Sequence, residues 1–217
     1  RQARAAHPYA TYLPANLALY REVFLSMLGA LEKVGPQAEA AAPGCAYLDV
    51  GGLDGHYATP FELAATIVSA VQQATGLTAS VGIAEGKFVA YVAASLPKLG
   101  AASVVAPGRE AVFLQDKSVA LLPFSPEMIE RLRTLGLHQL GQIAALPASA
   151  VEAQFRRIGR LMWELANGID KEPLRPRLLS ETIQQRLEFE SPVVASEALV
   201  LAGRQLLRAE RLPGTDV

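Results

Sequence analysis

Two Gly/Pro pairs set close together, Gly35-Pro36 and Pro43-Gly44, constrain this chain more than any other feature. Ahead of them, Leu17, Tyr20, Val23, Phe24, Met27, Leu28 and Leu31 recur at helical spacing, which predicts a helix over 16–34 that Gly35-Pro36 ends. Two short runs, 37–42 and 45–50, flank Pro43-Gly44 and read as a β-hairpin with a two-residue turn. Thr59-Pro60-Phe61-Glu62 is a helix start: Thr59 caps, Pro60 suits the first helical position and Glu62 closes a capping box. That helix should end near Gly76. Beyond it the pattern predicts a strand over 78–84, a helix over 86–96 and a short strand over 103–105. Residues 15–106 are therefore expected to be an α+β layer, a small sheet covered by helices.

The character then changes. From 125 to 168 Gly and Pro cut the chain into short helices: Ser125-Pro126 starts one, Gly136 ends it, and Pro147 and Gly168 mark later joints. Such helix-turn-helix pairs can set backbone N–H groups against phosphate, and they also build ordinary small helical domains. Residues 169–181 form a proline-bearing basic linker, followed by an expected strand over 182–190 and an amphipathic helix over 195–209.

Composition narrows the class. Just over half of the residues are hydrophobic (51%) and 19% are charged, which suits a globular chain with a sizeable core. Polar residues break every apolar stretch well before membrane-spanning length, so no membrane association is expected. Residues 1–16 lack the apolar run of a leader peptide. A lone cysteine, Cys45, fits a reducing cytoplasm. Arg1 in place of Met, and a last segment that stops soon after a helix, lead us to expect a piece of a longer chain. Between 131 and 177, Arg131, Arg133, Arg156, Arg157, Arg160, Lys171, Arg175 and Arg177 outnumber Glu152, Glu164, Asp170 and Glu172. A basic stretch of this kind is either a phosphate footprint or a solvated helix face.

Most catalytic signatures fail. Gly51-Gly52-Leu53-Asp54-Gly55 lacks the Lys-Ser/Thr of a phosphate loop. His7, His56 and His138 are scattered, without metal-ligand spacing. Cys45 lies on an apolar strand and reads as a packed small residue. Ser95-Leu96-Pro97-Lys98 has a Ser-x-x-Lys spacing but neither of its companion motifs.

One collinear series does stand out. It runs from residues 4–14 through Tyr20 and Ala46-Tyr47-Leu48-Asp49-Val50 to the segment 76–87, which begins Gly76-Leu77-Thr78. It continues in Ala93-Ala94-Ser95-Leu96-Pro97-Lys98-Leu99-Gly100, the segment 135–144 that opens Leu135-Gly136-Leu137, and Ala166-Asn167-Gly168-Ile169-Asp170. In order and spacing this series resembles the Y-family (ImpB/MucB/SamB-type) translesion DNA polymerases. The resemblance implies the end of the fingers over 1–14, a palm over 15–106, a helix-hairpin-helix thumb over 107–168 and the start of a little finger over 182–217. It also implies that the palm's opening strand, bearing the first metal-binding Asp, precedes Arg1.

The chain departs from that pattern at the hairpin. Active members read Ser-Ile-Asp-Glu-Ala-Tyr-Leu-Asp, whereas the matching segment here is Ala42-Pro43-Gly44-Cys45-Ala46-Tyr47-Leu48-Asp49. Gly44 and Cys45 replace the acid pair. Mg²⁺ prefers hard oxygen ligands, a glycine offers none, and a neutral thiol is a poor one. Asp49 lies on the opposite strand face and roughly 17 Å from Gly44 by strand rise. Lys98 matches the family lysine that contacts the incoming triphosphate, with Ser95 in place of an acid three residues earlier. Pro123-Phe124-Ser125-Pro126 replaces the glycine-bearing first thumb hairpin, while Arg157-Ile158-Gly159-Arg160 resembles the second.

These departures resemble the non-catalytic ImuB-like branch. The expectation is a DNA-binding scaffold for translesion synthesis and SOS-induced mutagenesis: not an enzyme, without cofactor, cytoplasmic and nucleoid-associated. Its implied partners are primer-template DNA, a catalytic translesion polymerase, an accessory mutagenesis protein and the sliding clamp. Expected DNA contacts are Ile158, Gly159, Arg160, Arg175, Arg177 and Arg186. Two alternatives stand beside it: an active error-prone polymerase using displaced Mg²⁺ ligands such as Asp49 or Asp54, and an unrelated α+β protein.

Overall fold

The computed structural model describes residues 9–11, 14–53, 55–96 and 99–177. All of these belong to one compact unit that ends at Arg177; a second unit, Leu178–Val217, lies outside the described residues, and with it the strand and helix expected there.

Helix α1 spans Leu17–Val34 and starts where Asn16 Oδ1 accepts the Leu19 N–H at 3.1 Å. Its C-terminal half buries Leu28, Ala30 and Leu31. Strands β1 (Ala38–Ala42) and β2 (Cys45–Leu48) pair antiparallel, with Ala38 opposite Leu48 and Glu39 opposite Tyr47. The turn works because Gly44 sits at φ 80°, the left-handed value that the third position of a type II turn requires after proline. Helix α2 (Pro60–Thr75) carries the expected start: Thr59 Oγ1 accepts from the Glu62 N–H, and Glu62 Oε2 accepts from the Ala58 N–H at 2.8 Å. It packs along α1 and turns Leu63, Ala64, Ile67 and Val71 inward.

Strand β3 (Val81–Ile83), helix α3 (Lys87–Ser95) and strand β4 (Ala102–Val104) form a parallel β–α–β unit. The helix lies directly on β3, and Gly82 permits it: a Cβ there would fall 2.1 Å from the Ala90 carbonyl oxygen. The single sheet expected from the sequence is instead two separate two-stranded ladders, β1–β2 and β3–β4. The second is the shorter, since alternation in 78–84 yields only three paired residues.

The helical part follows as α4 (Glu110–Leu114), a 3₁₀ turn (Val119–Leu121), α5 (Pro126–Thr134), α6 (Leu140–Ala144), α7 (Ala148–Phe155) and α8 (Arg157–Ala166). Ser125 Oγ caps α5 by accepting from the Met128 N–H, with Pro126 at its first position, and Gly136 at φ 80° follows its end. Two cores organise the unit. Leu31, Ala38, Leu63, Ile67 and Val71 form one under the hairpin. The other joins Val89 and Val92 of α3 to Leu114, Leu132, Leu140 and Met162, all fully buried. Helix α3 therefore shares its core with the short helices rather than with the hairpin.

Candidate functional site

The sequence resemblance points to the hairpin tip as the metal-binding position. Gly44 has open space around the position a Cβ would take, and Cys45 is half-buried. Burial pushes the Cys45 thiol up, so at neutral pH it is a neutral, soft group. Beside it Tyr47 is pushed up to about 12, first by burial and then by Cys45, Asp170, Glu39 and Tyr91. This donor set does not fit Mg²⁺. Asp49 is committed locally, its Oδ1 accepting the Gly51 N–H at 2.8 Å. Among the described residues no three His, Cys, Asp or Glu gather closely enough to hold a metal ion. Asp54, Lys98 and Arg186 lie outside the described residues.

Next to the tip is a cavity of about 450 Å³. One wall is β2, residues 45–48, and another is β3, residues 81–83, with Leu31, Ile67 and Val71 also lining it. Among the described residues β2 pairs with β1 alone and β3 with β4 alone, so each keeps one unpaired edge, and residues of both strands line this space. Unpaired edges side by side form a slot shaped for a further strand.

The basic residues are not arranged as the charge count implied. Arg160 lies between Glu152 at 3.4 Å and Glu164 at 3.1 Å and covers the Trp163 ring. Gly159 sits in the first turn of α8, where its missing Cβ lets the Val151 carbonyl of α7 approach; it is a packing glycine, buried, with Ile158 half-exposed beside it. The 157–160 segment forms the first turn of α8, directly after the tight turn at Arg156 (φ 56°) that joins it to α7. Arg177 forks onto Glu32 at 2.9 and 3.0 Å, while its backbone N–H donates to the Ala38 carbonyl. The Arg175 guanidinium is exposed, 3.8 Å from Glu172, while the Arg175 backbone N–H donates to Glu39. The arginines without a carboxylate partner among the described residues include Arg156 and Arg157, exposed at the α7–α8 corner, and Arg131, whose guanidinium donates to the Gln154 carbonyl nearby.

Two further groups escaped the sequence reading. Lys87 reaches both oxygens of Glu39, at 2.7 and 2.9 Å, with both side chains largely buried. Burial alone would raise the Glu39 carboxyl; the Arg175 N–H and the Lys87 ammonium outweigh it and hold the group below its ordinary value. Asp170 Oδ2 accepts the Phe88 N–H at 2.8 Å and so caps α3, whose own Gly86 has no side chain to do so.

Comparison with known proteins settles the family. Residues 1–95 match the impB/mucB/samB family. A DNA polymerase IV from Methanoculleus marisnigri is 32% identical over 213 residues, covering 94% of this chain and 59% of that protein. One from Dehalococcoides mccartyi is 30% identical, covering 85% and 47%. A DinB family error prone DNA polymerase from Sulfolobus solfataricus superposes with a TM-score of 0.70 at 25% identity, over 81% of this chain and 54% of the other. The chain belongs to the Y-family, DinB-like DNA polymerases. An unrelated α+β protein is thereby set aside.

The Y-family assignment also corrects two expectations. A chain read as no enzyme has relatives that bear an enzyme's name, DNA polymerase IV. The expectation of no cofactor is corrected with it, because DNA polymerases such as these relatives are named for depend on divalent metal. Both errors came from treating two missing acids at one tip as the loss of the whole metal site. The chain spans about half the length of the curated Y-family relatives it matches.

Proposed function

We propose that this chain forms palm and thumb of an error-prone, template-directed DNA polymerase that copies damaged DNA and uses divalent metal. The observation that carries the reading is the slot between β2 and β3 beside the hairpin tip. A strand from elsewhere in the full-length protein, entering there, could bring a carboxylate to the tip that Gly44 and Cys45 lack. The likeness to an ImuB-like branch rests on the tip, on the segment 123–126 and on the segment 165–176, and the relatives favour the polymerase reading over it. A sliding clamp as partner and a place at the nucleoid follow from the family resemblance alone.

Primer extension by the full-length protein tests the activity. Nucleotide incorporation above a no-enzyme control, stopped by chelating the metal, is the expected result. Correctly folded protein that binds primer-template yet adds no nucleotide in Mg²⁺ or Mn²⁺ overturns it.

DNA binding, in this proposal, runs through phosphate at the α7–α8 corner rather than through Arg160 or Arg177, whose charges are already paired. Each phosphate contact releases counterions, so log affinity falls with log salt by roughly 0.7–0.9 per contact. Replacing Arg156 and Arg157 with Ala should weaken binding to all sequences alike and flatten that slope by about one to two units. Unchanged affinity and slope in this double variant, with loss instead in Arg177→Ala, would return the contact to the linker.

A further inference from the structure

The segment 170–177 carries an arrangement that the polymerase reading does not require. It leaves α8 and runs back across the first layer, tied at four points. Asp170 caps α3 through the Phe88 N–H. The Arg175 N–H donates to Glu39, whose carboxylate also holds Lys87, and Glu172 lies 3.8 Å from that same ammonium. The Arg177 N–H donates to the Ala38 carbonyl, covering part of the outer edge of β1, and its guanidinium forks onto Glu32. Gly86 is shaped for the first tie, since a Cβ there would stand 2.9 Å from Asp170 Cβ.

Almost none of this is apolar. Backbone residues of the segment are largely exposed, and its hold is charge-assisted hydrogen bonding. The Arg177 and Glu32 side chains remain 29% and 12% exposed, so salt can reach the pair. Ties of that kind open without melting a core, which is the signature of a locally unfolding element.

We propose that residues 170–177 form an ionic latch with a docked and a released state, the Arg177–Glu32 fork closing it. Docked, the chain beyond Arg177 starts at the β1 edge. Released, it starts at the end of α8, and eight extended residues add up to about 26 Å of reach for whatever follows. The latch therefore sets tether length for the rest of the protein by making or breaking ion pairs.

Hydrogen exchange of the full-length protein tests this directly, because the Arg175 and Arg177 amides are themselves donors in the docked state. Glu32→Gln should speed exchange of these two amides at least tenfold while amides within α8 keep their rates, and 1 M NaCl should do the same to the unaltered protein. Asp170→Ala should loosen the segment from its other end. Exchanging the charges, Glu32→Arg together with Arg177→Glu, should restore protection. No acceleration in Glu32→Gln or in salt overturns the proposal. So does acceleration shared equally by α8, because the segment would then open only with the whole fold.

Discussion

Gly82→Ala should cost this protein a large share of its stability, about 3–5 kcal/mol, against the roughly 5–15 kcal/mol that holds a domain of this size together. The added methyl would stand 2.1 Å from the Ala90 carbonyl oxygen and 2.5 Å from the Ala94 nitrogen. Both are backbone atoms of α3, so no rotamer change relieves the clash; the helix itself must lift off β3. Lifting it opens the core beneath, where Val89, Val92 and Ala93 are fully buried. Overpacking against backbone is the costlier kind, since the displaced element takes its own contacts with it. Urea unfolding of the purified variant measures the loss, and an unfolding free energy within about 1 kcal/mol of the parent protein would show that α3 does not rest on β3 as described.

Gly159→Ala is the second large effect, and its sign decides between two readings of the same residue. In a solvated helix this substitution stabilises by about 1 kcal/mol, because alanine loses less chain entropy. Here the methyl would meet the Val151 carbonyl oxygen at 2.4 Å and the Glu152 Cα at 3.0 Å, across the α7–α8 crossing. Packing should win, leaving a net loss of about 2–3 kcal/mol measured without any DNA present. A glycine kept only for close approach to phosphate predicts otherwise: thermal stability unchanged or raised, and weaker binding alone. Gly44→Ala offers the contrast. Its Cβ position is open, so only the left-handed φ of 80° resists it, at about 1 kcal/mol.

What the sequence disclosed was local chemistry. The cap of α2, the proline-glycine turn of the hairpin and the serine-proline start of α5 were legible because each is written within four neighbouring residues. Missed contacts are those between residues far apart: Lys87 with Glu39 across 48 positions, Asp170 with Phe88 across 82, Arg177 with Glu32 across 145. Nothing in a periodicity points to them. The basic stretch misled because charges were counted without their partners, although Arg160 and Glu164 stand four apart on one helix, a spacing that announces an ion pair. At the hairpin the step from Gly44 and Cys45 to an absent activity was not warranted, since other strands can supply ligands to one metal site.

The remote cap on α3 also sets an order of events during synthesis. A helix that opens on glycine must wait for its stabilising carboxylate until the ribosome has made 82 further residues. At ordinary synthesis speeds of about 5–20 residues per second that delay is roughly 4–16 s, long compared with the microseconds a helix needs to form and fray. The β3–α3–β4 layer can therefore be assembled early but not finished, and the nascent chain completes it only when the end of α8 arrives. A truncation anywhere before Asp170 would leave behind a layer that had formed and never been locked.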